Sequence, residues 1–430
     1  MRIFLAILIG KILNLVIKTL SLGGGSAAPG LYALKIEPNL VSMLASQIPQ
    51  NIIITGTNGK TTTSRFITHF AQTQKIKVLR NSTGSNLERG IASSLLFKAT
   101  VMGKIKGVDL GIWELDEAAF NNVALKINPQ IIVFLNAFRD QLDRYGEVDS
   151  VVKKWKETLK DINHKALLIL NKDDTNIAKL AKSFSGKANF FAVKGYMIRD
   201  EALSKESEVN EKSDFEAANI KLNNLEGITF QLSMNSYQLK VNLPLPGIYH
   251  IYDFLASFGV GYNLNLDSQK MIDSLASYNP AFGRVEKLSI NGKKVWIFLI
   301  KNPAGTTQVL QTLSPNISKN DSVLVALNDN FADGTDVSWI WDSEFELLAK
   351  IYGLKIIVSG ARAADMALRL KYAGIDPKNI SINDVLEKAF KLSLEIESGN
   401  LFILPTYTAL LTLQRILTKD KHKESYWRDD

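Results

Sequence analysis

The sequence predicts an α/β protein with a parallel-rich central sheet and a smaller α/β domain at its C-terminal end. Three observations predict it. A β-branched run, Ile52, Ile53 and Ile54, opens directly into Thr55-Gly56-Thr57-Asn58-Gly59-Lys60-Thr61-Thr62-Thr63, a glycine turn followed by a lysine and hydroxyls. Strand-like runs at 108–113, 131–136 and 166–171 then alternate with helical patterns, the rhythm of parallel strands joined by crossover helices. A second alternation, with strand-like runs at 322–327, 354–359 and 400–404, follows a break in composition. The chain of 430 residues, 46% hydrophobic and 22% charged, is globular in composition and long enough for two or three domains.

Residues 1–40 are expected to form a helix and linker packed on the central domain. Residues 1–30 imitate a secretory signal, with Arg2, an apolar run and a small-residue stretch after it. Lys11, Asn14 and Lys18 interrupt that run at helical spacing as one narrow polar stripe, and the unbroken apolar segment 3–10 is too short to span a bilayer. A helix packed on the next domain is the first reading; a helix on a membrane surface, lysines at the headgroups, is the second. Both keep the protein cytoplasmic, the second with a peripheral contact at the inner face of the plasma membrane.

The central domain is expected over 41–285, and the glycine turn near its start reads as a nucleoside-triphosphate site. Gly56 and Gly59 let the loop N–H groups turn toward phosphates, and the next helix offers its positive N-terminus, which makes Thr57 a candidate nucleotide-binding residue of the loop. Lys60 is placed to reach the β/γ-phosphates, and Thr61 or Thr62 to hold Mg²⁺ through a hydroxyl. The general G-x-x-x-x-G-K-[ST] spacing is not met, because Ile54 stands where its first glycine belongs. Polar clusters follow the next strands: Trp113-Glu114-Leu115-Asp116-Glu117, and a second at 136–146 that begins at Asn136. Each alone reads as a solvated loop; together, beyond the carboxyl ends of strands that follow a phosphate loop, they suit Mg²⁺ and its waters.

From 196 to 227 the composition turns charged and polar with little periodicity, which reads as a variable insertion. A core resumes at Leu243-Pro244-Leu245-Pro246-Gly247 with a helix over 251–260. A boundary near Gly283-Arg284-Val285-Glu286 leaves 286–430 as the C-terminal domain, which opens with a hairpin around Asn291-Gly292. No cysteine is present, which excludes disulfides, Cys-ligated zinc and a cysteine nucleophile within this chain. The net charge of +8 favours solubility and anionic surfaces, and no nucleic-acid-reading motif accompanies it.

The motifs together resemble the Mur ligases, and within them the MurT-type subunits of lipid II isoglutaminyl synthase, nearly end to end. TGTNGKTTT from Thr55 is similar to the ligase phosphate loop, and Asn81-Ser82-Thr83-Gly84-Ser85-Asn86, Glu114-Leu115-Asp116-Glu117 and the DQLDRYG stretch from Asp140 are similar to the central domain. The run from Leu327 to Asp342, LNDNFADGTDVSWIWD, and Leu404-Pro405-Thr406-Tyr407-Thr408 resemble hallmarks of the C-terminal domain. The resemblance implies a Mur ligase-like central P-loop ATPase domain with a smaller C-terminal α/β domain. It also implies ATP-dependent amidation of the D-glutamate α-carboxyl of lipid II to D-isoglutamine through an acyl phosphate. In the implied site Glu114 is the metal ligand, Asn58 a phosphate contact and Arg284, in GRVE, a nucleotide-phosphate contact.

Ammonia for such a reaction comes from glutamine, and a cysteine-free chain cannot release it by the thiol route. The resemblance therefore implies a heterodimer with a GatD-type glutamine amidotransferase subunit whose catalytic histidine an aspartate of this chain orients. Asp336 and Asp333 come first for that role, then Asp329; an Asx-turn in a glycine loop is the plain alternative for each. Four departures from the family pattern matter. The segment 196–227 replaces a four-cysteine zinc ribbon, so no zinc is expected. His250 and Asp253 occupy adenine-side positions where asparagines are usual, with a purely structural role open for His250. Gln141 stands where other ligases have a second-metal histidine, and Lys153, Lys154 and Lys156 cannot be ranked as a carbamylated lysine. Lys301-Asn302-Pro303-Ala304-Gly305 replaces the aspartate- and histidine-containing motif of amino-acid-adding ligases, which favours ammonia. Two other classes stay open: a Mur or folylpolyglutamate-like amino acid ligase acting alone, and an ATP-binding module that regulates a glutaminase.

Overall fold

The computed structural model describes residues 1–19, 27–81, 85–139, 148–196, 212–235, 237–280, 283–396 and 399–419. The first sheet is built on β1 (Gln50–Thr55), β2 (Val78–Arg80), β3 (Leu110–Leu115), β4 (Ile131–Phe134), β5 (Leu167–Asn171), β6 (Lys187–Val193), β7 (Phe215–Leu222), β8 (Ile228–Met234) and β9 (Tyr237–Leu243). Their spatial order is β2-β3-β1-β4-β5-β6-β7-β8-β9. Pairing is parallel from β2 through β7 and antiparallel across β7, β8 and β9. The chain leaves β1 to build β2 and β3 on one side, then crosses to β4 on the other. The carboxyl ends of β1, β3 and β4 thus form a topological switch point, where α/β sheets open a crevice.

β1 is buried on both faces. Ile52 and Ile54 face a core shared with Phe66, Phe70, Phe254 and Phe258, under α4 (Lys60–Thr73) and the helix Tyr249–Asn263. Ile53 faces the other core with Trp113, Phe120, Phe134 and Trp155, under α5 (Glu88–Lys98), α6 (Glu117–Ile127) and the helix Val148–Asp161. Aromatic edges lock that second layer: Phe134 meets Phe120 and Trp155 at ring separations of 5.1 and 5.2 Å.

Ahead of β1 lie α1 (Arg2–Thr19), α2 (Ala28–Ile36) and α3 (Leu40–Ala45). α1 packs on α2 and α5 through Ala6, Ile7 and Gly10, where a Cβ at Gly10 would strike Leu96. One member of the expected polar stripe is engaged within the fold. Lys11 turns inward, its Nζ donating to the Ala99 carbonyl at 2.5 Å, where the negative end of α5 needs a cation. No described helix is long and apolar enough to cross a membrane.

The C-terminal sheet has the order β10 (Arg284–Ile290), β11 (Lys293–Phe298), β15 (Leu401–Pro405), β12 (Ser322–Ala326), β13 (Lys355–Ser359) and β14 (Ile380–Ile382). Only β10–β11 is antiparallel, turning through Asn291 and Gly292 with φ of 51° and 78°, the geometry for which Asn-Gly is suited. The segment 196–227 differs from the expected insertion. Residues 197–211 lie outside the described residues, but 215–222 form β7, with Phe215 and Ala217 buried in a period-two pattern. Ala217 and Ala218 gave that strand too little hydrophobicity to be read against its charged surroundings.

Candidate active site

β1 ends at Thr55 and the chain turns through Gly56 (φ 134°) and Gly59 (φ 89°) into α4. Both φ values belong to glycine, and there is no room for more: a Cβ at Gly56 would meet the Asn136 backbone, one at Gly59 the Asp253 carboxyl. Asn136, just past β4, stitches the loop to the neighbouring strand. Its side chain accepts from Asn58 N–H at 2.8 Å and donates to Asn58 O at 3.1 Å, and its carbonyl accepts from Thr57 N–H at 3.1 Å. The Thr57 hydroxyl donates to Phe138 O and accepts from Phe138 N–H. Thr57 and the Asn58 N–H thus brace the loop. What points outward is the first turn of α4, whose N–H groups no helix carbonyl can take and no side chain caps.

Lys60 is buried, with Nζ donating to Gly56 O at 2.5 Å and lying 3.6 Å from Asp116 and 3.5 Å from Glu117. Glu114, at the end of β3, accepts from the hydroxyls of Thr61 at 2.8 Å and Ser64 at 2.6 Å. Asn81 holds its backbone from both sides, accepting from Glu114 N–H and donating to Glu114 O. This buried hydroxyl-and-carboxylate oxygen set fits a hard cation such as Mg²⁺, with phosphate and water completing the shell. Among the described residues no group of three or more His, Cys, Asp or Glu could hold a metal by itself. Asp140 and Gln141 lie outside the described residues, as do residues 82–84. Lys153 and Lys154 are exposed and Lys156 is half-buried.

Asp253 packs its carboxyl on Gly59 of the phosphate loop. Burial raises its pKa to about 8 against the opposing pull of Arg284 and a hydrogen bond from Thr63. Protonated, it adds no negative charge beside phosphates. His250 is structural: it is buried, its Nδ1 bonds Pro246 O at 2.6 Å, and burial lowers its pKa to about 3. Arg284 directs Nη1 toward the Thr62 hydroxyl at 3.5 Å. It leads β10 just before Val285, whose φ of 62° coincides with a bulge in the β10–β11 ladder.

These pKa shifts predict a pH dependence. As pH rises toward about 8 the unfolded chain has already released the Asp253 proton that the fold retains, so stability falls with pH. His250 acts oppositely, lowering stability only as pH falls below 6.5. Thermal melting between pH 6.5 and 8 should therefore show a decline that Asp253→Asn flattens.

The C-terminal domain completes the site. Lys301 donates to Thr57 O at 3.0 Å, and Lys60 Nζ lies 3.5 Å from the same oxygen, so two ammonium groups converge on one carbonyl. Asn302 and Asn58 pair their side-chain amides at 3.0 and 3.2 Å. Asn302 also caps the helix Pro303–Leu313 by accepting from Gly305 N–H at 2.8 Å. Lys301 and Asn302 enter the sequence reading only as part of the segment that replaces the aspartate- and histidine-containing motif of amino-acid-adding ligases, and their contact with the phosphate loop has no local signal beyond an Asn-Pro helix start.

The aspartates of 329–336 divide by environment. Asp333 is buried and caps the helix Tyr407–Lys419, accepting from Thr408 N–H at 2.7 Å and from its hydroxyl at 2.5 Å. Asp329 pairs with Arg362 at 3.1 Å. Asp336 is half-buried, accepting from Ser338 N–H at 2.8 Å, a bond that lowers its pKa. Asn328 and Asn330 also donate to the Thr408 hydroxyl, so the two C-terminal hallmark segments form one braced unit.

Residues 54–261 match the model of the Mur ligase middle domain and 299–410 that of the MurT ligase C-terminal domain. The lipid II isoglutaminyl synthase (glutamine-hydrolyzing) subunit MurT of Staphylococcus aureus (strain COL) is 30% identical over 423 residues, covering 92% of this chain and 93% of that protein. Its Streptococcus pneumoniae (strain ATCC BAA-255 / R6) counterpart is 29% identical over 428 residues, with the same coverages of 92% and 93%. Among solved structures, MurF ligase of Thermotoga maritima in complex with ADP is similar in fold, with a TM-score of 0.65 at 16% identity over 89% of this chain and 82% of that one.

Proposed function

Because this chain belongs to the Mur ligase family, in its MurT branch, we propose that it amidates the D-glutamate α-carboxyl of lipid II at the expense of ATP. It is a ligase that forms a carbon–nitrogen bond, the synthase subunit of a glutamine-hydrolysing enzyme. The carboxylate attacks the γ-phosphorus, ADP leaves, and the acyl phosphate so formed is attacked by ammonia, which releases inorganic phosphate and a proton and leaves the amide. Two anions must meet in the first step, so neutralisation and positioning carry the catalysis. The single observation that supports it best is the convergence of Lys60 and Lys301 on the phosphate loop, one cation from each domain. Thr61 and Glu114 would hold Mg²⁺, which when bound neutralises phosphate charge.

Nitrogen comes from a GatD-type glutaminase in a heterodimer, since a chain without cysteine has no thiol nucleophile. Asp336 is the aspartate offered to the partner's histidine: Asp333 spends both oxygens on a helix cap and Asp329 pairs with Arg362. Phe331, 82% exposed in the same segment, gives the partner an apolar contact. The lipid substrate places the complex in the cytoplasm, at the inner face of the membrane.

Incubating the purified chain with lipid II, ATP, Mg²⁺ and ammonium tests the reading. Phosphate release with a mass loss of about one dalton in the lipid supports it; a residue-sized mass gain with an amino acid overturns it. Within that assay Lys301→Ala should lower kcat about 10²-fold, the usual loss when one preorganised charge contact is removed. KM for ATP should move less, because the cation acts on the charge that moves during transfer.

A further inference from the structure

We propose that the outer face of α1, with the turn beside it, is a membrane-docking surface that lies in the interfacial plane of an anionic leaflet. It deepens the reading of a membrane-lipid substrate, on which it rests for its biological sense. α1 is seated by one face and bare on the other. Inward, Ala6, Ile7 and Gly10 pack on α5, and Lys11 is bonded to Ala99 O. Outward, Phe4, Leu5, Ile12, Leu15 and Val16 are 40, 47, 50, 64 and 43% exposed. At 3.6 residues per turn these five fall on one side of the helix, and the one polar residue described among them, Thr19 in the last turn, turns its hydroxyl back to Leu15 O. Met102, 76% exposed, extends the patch from the neighbouring turn, where Gly103 packs against Ile3.

Charge names the occupant. Residues 1–36 hold no acidic residue, Glu37 being the first acid, and, besides the inward-bonded Lys11, three basic ones: Arg2, Lys18 and Lys35. Residues 97–108 hold Lys98, Lys104 and Lys106, all exposed, and again no acid. An apolar strip inside an acid-free basic surround suits headgroup phosphates and anionic lipid better than a protein surface. No described helix is long and apolar enough to cross a bilayer.

The test is co-sedimentation of the full chain with vesicles of phosphatidylcholine alone or mixed with phosphatidylglycerol, for wild type and Ile12→Glu/Leu15→Glu. Both positions are exposed, so the fold should hold; circular dichroism and ammonium-dependent turnover on a short-chain, detergent-free lipid II analogue should match wild type. The proposal expects binding to the mixed vesicles, weaker at high salt, and at least about tenfold lost in the double variant. Absence of binding, or equal binding by the variant, overturns it. So does a dimer, or a glutaminase complex, that the double variant disrupts without vesicle binding. Vesicle binding by a chain that fails to amidate would instead sink the function and leave this surface standing.

Discussion

Lys60→Ala lowers ammonium-dependent phosphate release by about 10³-fold, the scale expected when a preorganised charge on a transferring phosphoryl group is lost. Its ammonium sits at the start of α4 against Gly56 O, beside Asp116 and Glu117 and close to Thr57 O. No other described cation shares that set of partners, Lys301 reaching the loop from the opposite domain. The change also leaves the buried Glu117 without a partner 3.5 Å away, a loss that can cost about 3–5 kcal/mol for a buried charge. Lys60→Arg is the matched control, because it keeps the charge while changing its reach and shape. Single-turnover phosphate release at saturating ATP, read beside thermal melting, separates chemistry from stability. The prediction is a rate loss in both variants and a melting loss mainly in the alanine one. Full turnover by a folded alanine variant would remove Lys60 from the reaction.

Asp336→Ala and Asp333→Ala should fail in opposite ways. In the reconstituted heterodimer, Asp336→Ala lowers glutamine-dependent amidation by about 10³-fold or more, as expected when the group orienting a catalytic histidine is lost. Ammonium-dependent amidation by the same variant stays at the wild-type rate, because Asp336 lies outside the set that meets Lys60. Asp333→Ala removes a helix cap and leaves the Thr408 N–H and hydroxyl without their acceptor, destabilising the C-terminal domain by about 2 kcal/mol in denaturant unfolding. Both nitrogen sources would then fall together once the domain loosens. Equal glutamine-dependent activity in Asp336→Ala and wild type would return the role to one of the other two aspartates.

Sequence made the local parts of this molecule legible. The phosphate loop, the strands that flank it and the Asn-Gly hairpin are short-range patterns, and each lies where its residues placed it. Glu114 beside Thr61 was also within reach, since a parallel strand ending near a phosphate loop leaves few places for its carboxylate. Contacts between distant segments were not. Lys301 meets Thr57 across 244 positions, and Asp253 packs on Gly59 from the far end of the central domain. Periodicity in one segment says nothing of such pairings. The three aspartates of 329–336 share a composition and a glycine-rich loop, and only the fold shows that one caps a helix, one pairs with arginine and one is half open. The partner of Lys11 is likewise a distant one, the Ala99 carbonyl at the end of α5, which no pattern within the helix announces.

The most direct measurement follows oxygen. Lipid II carrying heavy oxygen in both positions of the D-glutamate α-carboxyl is turned over once with ATP and ammonium, and the inorganic phosphate is examined by mass spectrometry. Activation by phosphoryl transfer predicts one heavy oxygen in every phosphate released and one left in the amide. Phosphate free of label, alongside a normal yield of amide, would contradict the account.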